Sequence, residues 1–249
     1  MPSSSDGCAV AFRDVVKAYR RLSTTGLKHA LLHLPSFVRE WRAPTIRALD
    51  GVSFEVRRGE AFGIVGRNGS GKSTALALMA GVLGPSSGEV RVSGRLAPLL
   101  ELGAGFHPEL SGRENVGLNA AILGLRRREI RARFDAIVDF AGVRDFIDEP
   151  LRTYSSGMQM RLGFAVAVHT DPEVLLIDEV LAVGDVEFQR KCLDKMAEFR
   201  KAGVTIVLVT HDFSTVLSMC DRAILLERGR VAAAGAPAEV APEYQRAMA

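Results

Sequence analysis

The sequence predicts an α/β fold built on a largely parallel sheet, and two observations predict it. Short apolar runs rich in Val, Ile and Leu recur between turn residues, and segments of helical spacing alternate with them along most of the 249 residues. The clearest strands are residues 61–65, 174–177, 204–209 and 223–226. Their side chains do not alternate between apolar and polar, the pattern of parallel strands buried on both faces. Helices are expected over residues 72–80, 129–141, 157–168 and 188–201. Residues 113–157, largely helical between two strand regions, read as a helical subdomain inserted into the sheet domain. There is no internal repeat and no low-complexity tract.

Composition narrows the function classes. Apolar residues make up 47% and charged residues 24%, which excludes a disordered chain. A formal net charge of +3 is too small to argue for nucleic acid as a partner. Cys8, Cys192 and Cys220 share no metal-ligand spacing and form no even disulfide set, so free thiols are expected. The opening Met-Pro-Ser-Ser-Ser-Asp-Gly lacks the basic-then-apolar pattern of a signal peptide. No apolar run reaches the ~18 residues of a spanning helix. If the protein moves something across a membrane, another chain is expected to supply the path.

Between Tyr19 and Ala48 the character changes. Six basic residues (Arg20, Arg21, Lys28, Arg39, Arg42 and Arg47) face one acid, Glu40. Leu27, Leu31, Leu34, Val38 and Trp41 recur at helical spacing, with Pro35 interrupting them, so a kinked helix or two short ones is expected. Interleaved basic and apolar residues suit a helix at an anionic membrane surface. They equally suit a packed helical hairpin with a solvated basic face.

The run Gly66-Arg67-Asn68-Gly69-Ser70-Gly71-Lys72-Ser73-Thr74 fits the phosphate-binding pattern G-x-x-x-x-G-K-[ST], after a strand and at the start of a helix. Glycines let successive backbone N–H groups turn toward phosphate oxygens, and the helix N-terminus adds its dipole. Lys72 is expected against the β and γ phosphates of ATP, and the Ser73 hydroxyl in a Mg²⁺ shell. Val174-Leu175-Leu176-Ile177-Asp178-Glu179 is a buried strand ending in two acids. Neighbouring residues at a strand end point to opposite sides, so the two acids can take different tasks. Asp178 is the candidate Mg²⁺ ligand, and Glu179 the candidate base or water-orienting group.

The family is indicated by Tyr154-Ser155-Ser156-Gly157-Met158 and by two short segments downstream of it. The first segment resembles the signature loop of ABC nucleotide-binding domains. Ser155 and Gly157 match that loop, while Tyr154, Ser156 and Met158 depart from it. The chemistry requires a hydroxyl and bare amides at a helix N-terminus, aimed at a γ-phosphate. By itself the segment also reads as an ordinary helix N-cap. Downstream, Ala182-Val183-Gly184-Asp185 resembles the D-loop, with Asp185 at its acidic position. Thr210-His211-Asp212 resembles the switch-histidine loop, where a neutral imidazole can hydrogen-bond the γ-phosphate. Tyr19 resembles the aromatic residue that stacks on adenine, although a plain core tyrosine fits the position too. The likeness runs from Tyr19 to His211.

This resemblance implies one ABC ATPase domain over residues 1–249, with an insert at about 20–47. It implies a P-loop NTPase core with a mostly parallel sheet, an antiparallel β part and the helical signature subdomain at 113–157. It also implies a homodimer, with ATP held between the P-loop of one copy and Ser155, Ser156 and Gly157 of the other. Where a glutamine loop is usual, the chain reads Leu99-Leu100-Glu101-Leu102-Gly103-Ala104-Gly105-Phe106-His107-Pro108, continuing to Asn115. Glu101, or a residue one position to either side, aligns with that glutamine. This run, with the signature segment and D-loop, resembles the exporters of O-antigen, capsule and teichoic acid. Expected partners are two copies of a membrane permease, a lipid-linked polysaccharide and the inner-membrane surface at its cytoplasmic face. The insert would act as a gate helix at residues 27–41. An ABC exporter of another lipid or a drug is the alternative. After Gly235-Ala236-Pro237 a short helix is expected, where some O-antigen exporters continue into a carbohydrate-binding β-sandwich.

Overall fold

A computed structural model describes residues 7–20, 45–99, 103, 105–178 and 184–248. Strands β1 (Cys8–Arg20), β2 (Thr45–Arg57) and β4 (Ser87–Val92) form an antiparallel sheet in the order β2-β1-β4. Strands β3 (Ala61–Val65), β5 (Leu96–Leu99), β6 (Val174–Asp178), β7 (Thr205–Thr210), β8 (Arg222–Glu227) and β9 (Arg230–Gly235) form the second sheet. Its order is β5-β6-β7-β3-β8-β9, parallel throughout except for the β8–β9 hairpin at its edge. Among the described residues the α-helices are α1 (Lys72–Met79), α2 (Gly112–Ile122), α3 (Arg127–Ala141), α4 (Ser156–Val168), α5 (Val186–Lys201), α6 (Phe213–Met219) and α7 (Pro237–Met248).

Each sheet follows from its side-chain pattern. In β2, Val52, Phe54 and Val56 point inward while Ser53, Glu55 and Arg57 face solvent. That alternation is what a sheet with one wet face requires. Every residue of β3 and β7 is buried, because helices or the antiparallel sheet cover both faces. Phe54 joins the sheets, stacking on Phe12 at 4.5 Å and on Phe62 at 5.5 Å between ring centroids. One core lies on that side and takes in Leu76 and Met79 of α1. Another lies across the parallel sheet and takes in Phe188, Cys192 and Met196 of α5.

The helical part has its own core of Val116, Ala120, Ile137, Val138, Leu162 and Val166. Helix α4 contributes Leu162 and Val166 there, and Phe164 and Ala167 to the core under the sheet. It is therefore apolar nearly all round from Leu162 onward. Caps set the helix starts. Asp185 accepts from Phe188 N at 2.8 Å, so α5 begins at Val186 rather than at 188. Glu129 accepts from Arg126 N at 2.7 Å, so α3 begins at Arg127. Arg20 and Thr45–Arg47, assigned to the basic insert from sequence, are strand residues, with Arg20 opposite Thr45 and Tyr19 opposite Ile46. The helical expectation at 27–41 lies outside the described residues.

Candidate nucleotide site

The strand order brings the separate motifs to one place. Strand β7 lies between β3 and β6, with Val65 opposite Thr210 and Asp178 opposite Val209. The loop after β3, Asp178 at the end of β6, and His211 just past β7 therefore share the carboxyl edge of the sheet. Open α/β sheets bind ligands at this edge.

Gly66 leaves β3 at a φ of 153°, and a Cβ there would stand 2.2 Å from Leu226 O and 2.6 Å from Ser70 Oγ. Only a bare α-carbon fits. Gly71 ends the loop in the left-handed region and caps α1. Between them Arg67, Asn68 and Gly69 are exposed, so their backbone can meet a ligand. Lys72 is only 7% exposed, and its ammonium donates to Gly66 O at 2.7 Å and Arg67 O at 3.1 Å. The cation is thus held inside the loop, where an anion would meet it beside the amides. Ser70 Oγ is buried, with no hydrogen-bond partner among the described residues. Such an atom costs about 1–3 kcal/mol unless something satisfies it.

Ser73 and Asp178 line one cleft of about 470 Å³. The cleft runs between α1 (Leu76, Ala77, Ala80) and the helical part (Asn119, Ile122, Leu123), with Gly103 on its wall. A hydroxyl and a carboxylate in one largely apolar cleft beside a phosphate cradle are the hard oxygen donors that Mg²⁺ takes. The donor set fits the ion. Thr74, behind Ser73, is half-buried. Asp212, next to His211, caps α6: it accepts from Ser214 N at 2.9 Å, Ser214 Oγ at 2.6 Å and Thr215 Oγ1 at 2.6 Å. These bonds pull its carboxyl down to about 2, so it stays charged and fixes the loop.

A family model described as ABC transporter matches residues 49–182, which hold the loop, the cleft and the turn before α4. The chain belongs to the ABC transporter family. It is similar to the O-antigen export system ATP-binding protein RfbB of Myxococcus xanthus, 50% identical over 100% of this chain. The chain spans 57% of that relative's length. A relative of the same description from Klebsiella pneumoniae is 48% identical, over 90% of this chain and 92% of its own length. Among solved structures, the ATP-binding subunit of an ABC transporter superposes with a TM-score of 0.75 at 23% identity, covering 97% of this chain and 95% of that one.

In this ABC ATPase some of the other residues singled out from the sequence do not line the cleft. Ser155 and Ser156 are exposed at the start of α4 and Gly157 is half-buried. None of the three lines the cleft that holds Ser73 and Asp178. Ser155 Oγ accepts from Met158 N at 3.2 Å, so the N-cap reading is correct as local structure. Tyr154, one of the three departures from the signature loop, is buried, and its hydroxyl donates to Phe146 O at 2.6 Å. It ties the turn before α4 to the 3₁₀ turn Arg144–Phe146. Asp185 lies 3.7 Å from Arg161 of α4, and the adjoining Val186 is 82% exposed. Tyr19 is 40% exposed on β1, with the Lys17 ammonium 5.4 Å above its ring. It is no plain core tyrosine. Glu101 and Glu179 lie outside the described residues.

Several supports of the site carry no motif. Asn115 is fully buried, donates to the carbonyls of His107, Leu110 and Ser111 at 3.0 Å each, and accepts from His107 N at 2.7 Å. It shapes the loop after Gly105. Gly229, in the β8–β9 turn, donates to Ser70 O at 3.0 Å and accepts from Asp50 N at 2.8 Å. A Ser-Gly-Arg-Glu-Asn run at 111–115 signals a capped helix, but nothing in the sequence around Gly229 points to the phosphate loop.

Proposed function

We propose that this chain is the ATP-hydrolysing subunit of an ABC transporter that exports a lipid-linked polysaccharide of the O-antigen class across the inner membrane. The observation that carries the ATPase half is the placing of Ser73, Asp178 and the Lys72 loop at one sheet edge, beside the orphaned Ser70 hydroxyl. The export half is supported by relatives named for O-antigen export at 48% and 50% identity.

In this reading the amides of Asn68 to Lys72 and the Lys72 ammonium hold the β and γ phosphates of ATP. Ser73 and Asp178 hold Mg²⁺, which when bound neutralises phosphate charge. Glu179 takes or orients the proton of the attacking water, and the His211 imidazole steadies that water and the γ-phosphate. Tyr19 stacks on adenine from the exposed end of β1, and Glu101 stands in for the loop glutamine. The exposed Ser155 and Ser156 and the half-buried Gly157 close over ATP in a second copy, with Asp185 beside the seam. That assignment fits their exposure and their absence from the chain's own cleft. A homodimer on two permease subunits, at the cytoplasmic face of the membrane, is the assembly this implies. The basic, apolar-faced segment at 27–41 meets the permease and headgroups near the polymer's entry.

The test is the Glu179→Gln substitution, because losing a general base costs about 10²–10⁴-fold in rate. Purified E179Q should keep ATP affinity and lose steady-state hydrolysis. Cells carrying only that variant should accumulate lipid-linked polymer in the cytoplasm. Unchanged hydrolysis in E179Q would overturn the role given to Glu179, absence of hydrolysis in the wild-type chain would overturn the ATPase assignment, and normal surface polymer would overturn the export assignment.

A further inference from the structure

Helix α7 crosses the same sheet edge, and two of its groups touch the two loops of the site. The Tyr244 hydroxyl donates to the backbone carbonyl of His211. One turn further on, Ala247 O accepts from the Arg67 guanidinium at 3.2 Å. Arg67 belongs to the exposed crest of the phosphate loop, and Ala247 to a helix end whose carbonyls lack helical partners and carry partial negative charge. The Tyr244 ring stacks on Phe213 at 4.6 Å between centroids and 21° between planes. Val240, one turn back, is fully buried in the core under the sheet. The helix is therefore anchored independently of the hydroxyl.

The contact with His211 is to the peptide group and not to the imidazole, which determines what it can do. The peptide joining His211 and Asp212 is planar. Its carbonyl end accepts from Tyr244, and its N–H end donates to Thr210 Oγ1 at 2.9 Å. Both ends of one rigid plane are pinned, so ψ of His211 is fixed. Its φ follows from the end of β7, where Thr210 is paired with Val65. The backbone then leaves the imidazole only its side-chain torsions. We infer that Tyr244 is a positioning residue for the ATPase reaction: by fixing the His211 peptide from α7 it aims the imidazole at the phosphate loop.

The inference rests on the role given to His211 above. The experiment compares Y244F, H211A and the double variant in the full chain assayed within its transporter, with slow variants followed by single-turnover hydrolysis. Y244F keeps the Phe213 stack and loses only the hydroxyl. Its kcat should fall more than twofold, on the order of 5-fold, as one hydrogen bond is worth. KM for ATP and the melting temperature should stay at their wild-type values, and exchange of the Asp212 amide hydrogen should quicken. In the H211A background the further change Y244F should have no effect, because Tyr244 acts through the imidazole. A kcat loss below twofold, a loss accompanied by a fall in melting temperature, or losses that multiply in the double variant would each overturn the inference. Full activity in H211A would overturn the role of His211 itself, a failure distinct from that of Tyr244.

Discussion

Replacing Gly229 by alanine tests whether the phosphate loop is propped from outside its own sequence. Arg228 and Gly229 form the two-residue turn of the β8–β9 hairpin, with φ of 49° and 79°. An alanine forced into that left-handed region costs about 1–2 kcal/mol. Its Cβ would also stand 2.7 Å from Ala48 O and 3.2 Å from Leu49 Cα, both backbone atoms that cannot swing aside. The turn must back away, stretching the bonds from Asp50 N (2.8 Å) and to Ser70 O (3.0 Å). Each is worth about 1 kcal/mol net. The total is roughly 2–4 kcal/mol, a fall of roughly 5–15 °C in melting temperature for a chain of this size. Because Ser70 is in the phosphate loop, ATP affinity should fall on the order of 5-fold as well. The control is Gly203→Ala, where φ is 75° but a Cβ meets nothing within 4 Å, so it reports backbone strain alone. Thermal melts and ATP titrations of both variants decide the matter. If G229A were no more destabilising than G203A, or bound ATP like wild type, the prop would be refuted.

Ser155→Ala should cost about 1 kcal/mol through the lost cap to Met158 N, and Ser155→Gly only a few tenths, since glycine is tolerated at an N-cap. Both should nevertheless lose hydrolysis on the order of 100-fold if the hydroxyl meets a phosphate in the partner copy; activity that tracks melting temperature would reduce Ser155 to a cap. The carboxyl of Asp212, held at about 2 against an ordinary 3.8, contributes stability that is present above pH 3.8 and is lost as pH falls through 2. Acid unfolding of D212N should therefore be flatter between pH 4 and pH 2 than that of wild type, and identical acid limbs would refute the assignment.

The elements that were legible were those whose chemistry is local. The strand at 61–65 and the loop from Gly66 to Thr74 need only their own residues to be recognised: an apolar run, then glycines before Lys-Ser. The buried run ending at Asp178 was equally plain. Helix starts slipped by one or two residues, as at Val186 and Arg127, because a cap is a side-chain bond that periodicity does not register. Strand β1 is not legible in the sequence because Asp14 at a φ of 47° and several register shifts break its pattern. Strand β2 begins inside a segment that reads as a basic insert, since Thr45–Arg47 pair with residues on its far side. Helix α4 shows no amphipathic stripe because it is buried between two cores.

What the sequence by itself determined was the set of reactive groups and the family: a phosphate loop, a serine-capped helix, an acid-ended strand, and a histidine after another strand, in that order. Each is a local arrangement, fixed by residues within a few positions of one another. What only the tertiary structure decided was who holds these groups in place. The order β6-β7-β3 puts Asp178, His211 and Lys72 on one edge. Gly229 props Ser70 across the fold, and Tyr244 pins the His211 peptide from a helix 33 positions away in the chain. A supporting contact of that kind needs only one donor, one acceptor and a short distance between them. Residue types supply the first two, and the distance exists only once the chain has folded.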